Sequence, residues 1–223
     1  MRPLRPLLAA ALVVGYAAVA GCSGAGSAPP PEGHAHLPGQ GDHTHATPTK
    51  PGSSATATPD WNHDDVSYLQ MMIPHHGQAL DLAELAATRA ADPRVRALAA
   101  RTEAARGPEV WLMAGWLAER GIDVPSPDED PHEYDHGEHG HHPMRGLLAA
   151  DDLAALADAE GPAFDRLFLD ELLRHQRGAI AMADDVLATG TDPRAAEIAT
   201  EVRAGQRAEV ARMERLLAQL PAS

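Results

Sequence analysis

The sequence predicts an all-α protein, an antiparallel four-helix bundle built from two duplicated helical hairpins. Three observations carry that prediction. Residues 66–117 and 166–217 match in register at an offset of 100: Ala91-Asp92-Pro93-Arg94 aligns with Thr191-Asp192-Pro193-Arg194, Tyr68 with Phe168, His75 with His175, Glu109 with Glu209 and Met113 with Met213. Ala and Leu dominate, aromatic residues make up only 4% of the chain, and alternating β-branched runs are absent, so strands have little support. Each copy holds two helical patterns joined by a short link, which excludes a solenoid of many small repeats and favours hairpins that bury their apolar stripes against each other.

Taken in order, residues 1–21 read as a lipoprotein signal peptide. Arg2 and Arg5 form a charged start, residues 7–20 an apolar stretch too short to span a bilayer, and Val19-Ala20-Gly21-Cys22 a small-residue cleavage site. That tetrapeptide resembles a bacterial lipobox, which implies cleavage before Cys22, acylation of Cys22, and an extracytoplasmic protein anchored to the membrane by lipid. Cys22 is the single Cys of the chain, so disulfide and Cys-based redox chemistry are excluded. Residues 22–59 are rich in Pro, Gly, Ser and Thr, with too few large apolar side chains to fold alone, and read as a disordered tether. The tether carries His34, His36, His43 and His45 as two His-x-His pairs.

Residues 60–221 are expected to form the bundle, with a His-rich linker between the copies at 122–146. The first helix is placed at 62–90, the second at 93–120, the third at 163–189 and the fourth at 193–220, with a shorter helix at 147–160 broken by Gly161-Pro162. Asp92-Pro93 and Asp192-Pro193 each offer a capping carboxylate followed by Pro at the first helical position, while Gly121 and Gly190 can take the left-handed conformation that ends a helix. The linker places His132, His136, His139, His141 and His142 among Asp and Glu, and ten of the 13 histidines, counting His63, thus lie outside the helical interior. Such tracts suit weak capture of transition metals. Removing the signal peptide takes Arg2 and Arg5 from the 18 basic residues and leaves 16 against 32 acidic ones, a charge near −16 that excludes nucleic acid as a partner.

At 100° per residue, Tyr68, Met72, His75, Ala79, Leu82 and Ala86 form one seam with His76 on its flank, matched by Phe168, Leu172, His175, Ala179, Met182 and Ala183. The second and fourth helices show Leu98, Ala105, Glu109, Met113 and Trp116 against Ile198, Val202, Glu209, Met213 and Leu216. Each stripe carries one polar intruder, and buried His or Glu left unpaired is costly, so these groups must find partners. Pairing with one another is one solution. Metal is the other: Met71 and Met72 lie one turn before His75 and His76, Met113 and Met213 one turn beyond Glu109 and Glu209, and thioether with imidazole suits copper, above all Cu(I), rather than Mg, Ca or Zn.

Met71-Met72-Ile73-Pro74-His75-His76-Gly77-Gln78-Ala79 in the first copy, and the second-copy run from Gly161 through His175 to Gly178-Ala179-Ile180-Ala181-Met182-Ala183, resemble the domain of unknown function 305 family, which includes CopM-type copper-binding proteins. The resemblance spans roughly residues 60–220. It implies a ferritin-like antiparallel bundle and Met/His copper binding, falling here on Met72, His75, His76, Met113, His175, Met182 and Met213. The second copy departs from the pattern at Leu172-Leu173-Arg174-His175-Gln176, losing a Met and a His, and Leu82 stands opposite Met182, so two sites would be unequal, with His75 and His76 the stronger. Met144 is a further available thioether.

Enzymatic readings find no purchase. A di-iron or di-manganese site needs inward Glu-x-x-His motifs, whereas Glu171 and His175 are four apart; a nucleophile elbow and a phosphate-cradling glycine loop are both missing. The expectation is a non-enzymatic, lipid-anchored protein that binds copper, Cu(I) in preference to Cu(II) or the chemically similar Ag(I), with Glu109 and Glu209 orienting the imidazoles. The expected partners are the membrane and metal ions. The alternative is a metal-free structural or interaction module with buried His-Glu pairs.

Overall fold

The computed structural model describes residues 60–130 and 144–221, all within one unit spanning residues 53–223. The signal peptide, Cys22, the tether with His34, His36, His43 and His45, and the linker histidines His132, His136, His139, His141 and His142 lie outside the described residues. Five helices follow in order: α1 (His63–Arg89), α2 (Pro93–Glu119), the short α3 (Ala150–Asp158), α4 (Gly161–Thr189) and α5 (Pro193–Leu217). The described residues contain no β-strand; Ala90 and Gly161 make one isolated bridge. α1 packs on α2 and α4, and α5 on α4 and α2, which closes a four-helix bundle with α3 lying against α4. No helix among the described residues is long and apolar enough to cross a membrane.

Helix ends follow the chemistry anticipated for most of them. Asn62 caps α1 through a reciprocal pair with Asp65, and Asp92 and Asp192 cap α2 and α5 ahead of Pro93 and Pro193. Gly121 ends α2 at φ +68°, where a Cβ would be strained. Gly190 does not. Its φ is −66°, an ordinary extended geometry, and the reason for glycine is space, since a Cβ there would run into the Asp65 carboxylate. α4 begins two residues earlier than expected, at Gly161, and α5 ends three residues earlier, at Leu217. The short helix is likewise trimmed to Ala150–Asp158.

The Asp65 carboxylate belongs to a reciprocal clamp between the copies. Asp65 Oδ2 accepts the backbone N–H of Thr191 and of Asp192, both at 3.0 Å, in the turn between α4 and α5. Its counterpart Asp165 accepts Ala91 N–H at 3.0 Å and Asp92 N–H at 2.8 Å, in the turn between α1 and α2. The first helix of each hairpin therefore caps the turn of the other, and both carboxylates are buried. Each turn needs acceptors for amides that no helix satisfies, and the other copy supplies them.

Apolar packing divides into two clusters. One holds Leu69, Met72, Met113, Trp116, Met182 and Ile198 near the Asn62 end; the other holds Leu82, Leu98, Phe164, Phe168, Leu172 and Met213 near the Ala90 end. Between them lies a layer of buried polar side chains, and the two ends of the linker pass over its α1 and α4 faces. Gly77 and Gly178 admit that crossing, because a Cβ on either would run into the backbone of Pro127 or Arg145. Gln78 fixes one strand of the linker by donating to the Leu148 carbonyl at 3.1 Å and accepting its N–H at 2.8 Å.

Replacing Asp65 or Asp165 with Ala leaves two backbone amides of the opposite turn, at least partly buried, without their acceptor, a loss of up to about 1–3 kcal/mol per stranded group. Each variant is expected to unfold at markedly lower denaturant, while Glu103→Ala on the exposed side of α2 stays within about 0.5 kcal/mol of the parent. Equal midpoints for Asp165→Ala and Glu103→Ala would contradict the clamp.

Candidate functional site

The polar layer is organised around Arg106. This residue is 1% exposed, donates from Nη1 to Glu109 Oε2 at 2.7 Å and from Nη2 to Glu209 Oε2 at 2.8 Å, and so joins one copy to the other. His76 Nε2 donates to the same Glu109 oxygen at 2.7 Å, and Gln176 Nε2 donates to Glu209 Oε2 at 2.6 Å. Glu109 thus orients an imidazole as anticipated, while Glu209 holds Gln176 and Arg106 rather than His175. The reason lies in the repeat, because Gln176 occupies the position of His76. Arg106 was absent from the predicted stripe, which used Ala105. Residues 98, 102, 106, 109, 113 and 116 form the inward row, matched at 198, 202, 206, 209, 213 and 216, and the recurrence of that spacing in both copies is the signal that marks Arg106 and Gln206 as interior.

His75 and His76 do not act as a pair. Neighbouring helical residues diverge by 100°, so His76 faces α2 and Glu109 whereas His75 faces α4. There the His75 and His175 rings meet at a centroid distance of 3.9 Å with a 35° tilt. His75 Nε2 donates to the Arg145 carbonyl at 3.0 Å, on the linker segment that crosses the helices. That bond fixes the tautomer and leaves Nδ1 as a bare lone pair, for which the described residues hold no partner; His76 Nδ1 and His175 Nε2 are also unpartnered. Three buried imidazoles thus each offer one uncommitted nitrogen.

Burial lowers all three imidazoles. His75 is pushed down to about 3, first by desolvation and then by His76, with the hydrogen bond to Arg145 opposing and Arg106 reinforcing. His175 is held well below the ordinary histidine range by desolvation, then by His75, His76 and Arg106, with hydrogen bonding to the His75 backbone in opposition. His76 is lowered by desolvation, against its bond to Glu109. Burial raises Glu109, but the hydrogen bond from His76 and the charge of Arg106 outweigh it and hold the carboxyl below its ordinary value. The imidazoles are accordingly neutral at physiological pH, the form in which a ring nitrogen binds a metal.

The methionines sort by helix face. α1 and α4 run antiparallel, and Met71 lies one turn from His75 on the same face, as Met182 lies two turns from His175. Met71 and Met182 line a cavity of about 110 Å³ together with Tyr68, Arg145, Asp64 and Asp185, and among the described residues the buried Tyr68 hydroxyl has no partner. Met72 and Met113 are fully buried in the same apolar cluster as Met182, with Met144 packed beside it, whereas Met213 lies in the other cluster. Of the anticipated sulfur donors, Met72, Met113 and Met182 therefore share one side of the polar layer. Met71, absent from the predicted seam, joins them because it shares the His75 face. Among the described residues, no group of three or more His, Cys, Asp or Glu is placed to hold a metal ion, so an ion in this seam depends on the thioethers as well as the imidazoles.

The family described as Domain of unknown function (DUF305) matches residues 65–217. Among solved structures the chain is similar to a DUF305 fragment from Deinococcus radiodurans, at 28% identity and a TM-score of 0.62, over 73% of this chain and 100% of that one. It is also similar to CopM in its Cu(II)-bound form, at 28% identity and a TM-score of 0.56, over 69% of this chain and 95% of that one. CopM in its Cu(I)-bound form is similar at 26% identity and a TM-score of 0.56, over 71% of this chain and 98% of that one. No match is found among curated proteins. A match across the whole bundle, from Asp65 of the inter-copy clamp to the last residue of α5, establishes that the chain belongs to the DUF305 family.

Proposed function

We propose that this protein is an extracytoplasmic lipoprotein, anchored through Cys22, that binds copper as Cu(I) in the seam between α1 and α4 and buffers it or hands it on. The observation that carries the reading is the meeting of the His75 and His175 rings across the α1–α4 seam, each buried and neutral with one bare nitrogen, one and two helical turns respectively from Met71 and Met182, whose thioethers line a cavity in the same seam. Soft sulfur with imidazole suits Cu(I) and Ag(I) at low coordination number, whereas Mg and Ca require oxygen ligands. The copper-bound forms of CopM, a similar bundle, lend further support. The anchoring and the location rest on the lipobox-like Val19-Ala20-Gly21-Cys22.

In this scheme His75 and His175 bind from the two copies, with Met71 and Met182 of the adjoining cavity as sulfur donors and Met72 and Met113 available in the same apolar cluster as Met182. The Arg145 carbonyl and Glu109 hold the tautomers of His75 and His76 by accepting their other N–H, which leaves the free nitrogen correctly disposed. Arg106 shares its single charge between Glu109 and Glu209, which ties both carboxylates into the layer beside the imidazoles. Met213 lies in the apolar cluster on the other side of the polar layer, and the tether and linker histidines capture ions weakly before transfer. A metal-free structural role is the second reading. It is favoured by the chain of bonds from His76 through Glu109, Arg106 and Glu209 to Gln176, which satisfies most of its own members.

Competition titration of the full chain against a chromophoric Cu(I) chelator separates the two. Met71→Leu/Met182→Leu conserves volume and helicity, and His75→Gln/His175→Gln removes the paired rings; each is expected to weaken the tightest Cu(I) site at least tenfold. Unchanged Cu(I) affinity in both double variants sinks the copper site and leaves the structural reading.

Stability of the metal-free chain should also depend on pH. The folded imidazoles are neutral, while the unfolded chain takes up protons below about pH 6.5, so stability is full above that pH and is lost as pH falls towards 3. The slope is up to about 1.4 kcal/mol per pH unit for each such imidazole, with Glu109, also lowered in the fold, adding in the same direction below about pH 4.5. Denaturant midpoints measured between pH 7.5 and 5 are expected to fall, and to fall less in His175→Leu. A flat profile contradicts neutral burial.

A further inference from the structure

The described arginines are almost all engaged. Most lie within ion-pair distance of a carboxylate, and Arg96 and Arg166 donate to backbone carbonyls instead. Three remain without a carboxylate, Arg101, Arg212 and Arg215, and all three line one open cleft of about 230 Å³ between α2 and the end of α5. Arg94 completes the rim, and Gln219, which accepts from Arg94 Nη1 at 2.9 Å, sits beside it. The floor is apolar, made by the buried Leu98 and Leu216. No carboxylate lines the cleft: Asp92 is taken by Arg94, and Glu214 by Arg177 on the neighbouring helix.

In a chain of net charge −14 with 32 acidic residues, a cluster of unneutralised guanidinium groups is unexpected. The duplication supplies an internal control. At the positions equivalent to Arg101, Arg212 and Arg215 the other end of the bundle carries Glu201, Leu112 and Gly115. Hairpin packing is therefore compatible with acidic, apolar or absent side chains at these places, and does not explain the arginines. Covering Leu98 and Leu216 with aliphatic stems would account for one or two of them, but not for three guanidinium groups without a carboxylate converging beside the Asp92-paired Arg94.

We propose that this cleft binds a phosphate-bearing anion with an apolar portion. Planar guanidinium forks match tetrahedral oxyanions through paired N–H donors, and several forks around one group suit a phosphate better than a single carboxylate. The leucine floor accepts hydrocarbon attached to the headgroup. The site lies at the Ala90 end of the bundle, away from the α1–α4 metal seam, and does not depend on copper binding.

The test measures the melting temperature of the full chain with inorganic phosphate, and with a soluble short-chain phosphatidic acid below its micelle concentration, against chloride at matched ionic strength. Both probes are expected to raise it, the lipid at lower concentration, and Arg101→Gln/Arg212→Gln/Arg215→Gln to reduce apparent affinity at least tenfold while Arg203→Gln/Arg207→Gln, on another face, leaves it intact. A response to phosphate without a stronger one to the lipid assigns the site to free phosphate compounds; the reverse assigns it to lipid headgroups. No response to either probe, or an equal loss in both variants, overturns the proposal. Helical circular dichroism of the triple variant separates lost binding from lost fold.

Discussion

A single buried guanidinium shared between two carboxylates is the constraint on which this bundle turns. Arg106 reaches Glu109 within its own copy and Glu209 in the other, so the duplicated hairpins are joined at mid-height by charge as well as by apolar contact. Buried ions contribute little net stability against well-packed hydrocarbon, yet removing one partner leaves an uncompensated charge at about 3–5 kcal/mol. Such a network is better understood as setting register than as adding strength. Sliding one hairpin along the other by a turn would separate Arg106 from Glu209 while leaving much apolar contact available.

That layer also makes the duplicated halves unequal. His76 and Arg106 are answered in the second copy by the neutral amides Gln176 and Gln206, while Glu109 and Glu209 are ionisable in both. His75 and His175 are retained in both, and their rings meet across the pseudo-twofold. A duplicated fold with two equal sites would repeat the whole constellation. Here the copies contribute one imidazole each to a common seam, and the further functional groups gather on the first.

The linker between the copies does more than connect them. Its backbone crosses close over Gly178 and Gly77, supplies the carbonyl that fixes the His75 tautomer, and is locked by Gln78 onto Leu148. Consequently α1 is buried on nearly every side from Asp65 to Ala79, including residues that a solvent-facing helix would leave exposed. The burial that depresses the imidazoles is the same burial that keeps their free nitrogens from water. Packing, protonation and ligand competence are one physical fact at this place.

What the sequence by itself determined was the element order, the duplication and the inward direction of His75, His76, His175, Glu109 and Glu209, because periodicity and capping chemistry are local and survive without coordinates. It also carried the family, through the motif around Met72 to His76. Tertiary structure alone decided which inward groups meet. Asp65 and Asp165 look like ordinary first-turn acids until the opposite hairpin brings amides to them, and Gly190 looks like a left-handed terminator until Asp65 is seen to need its space. His75 and His76 look like a pair until the 100° between them sends one to α4 and the other to α2. A stripe read from sequence gives direction from one helix axis, whereas a site is an intersection of directions from several, fixed only once the helices have packed.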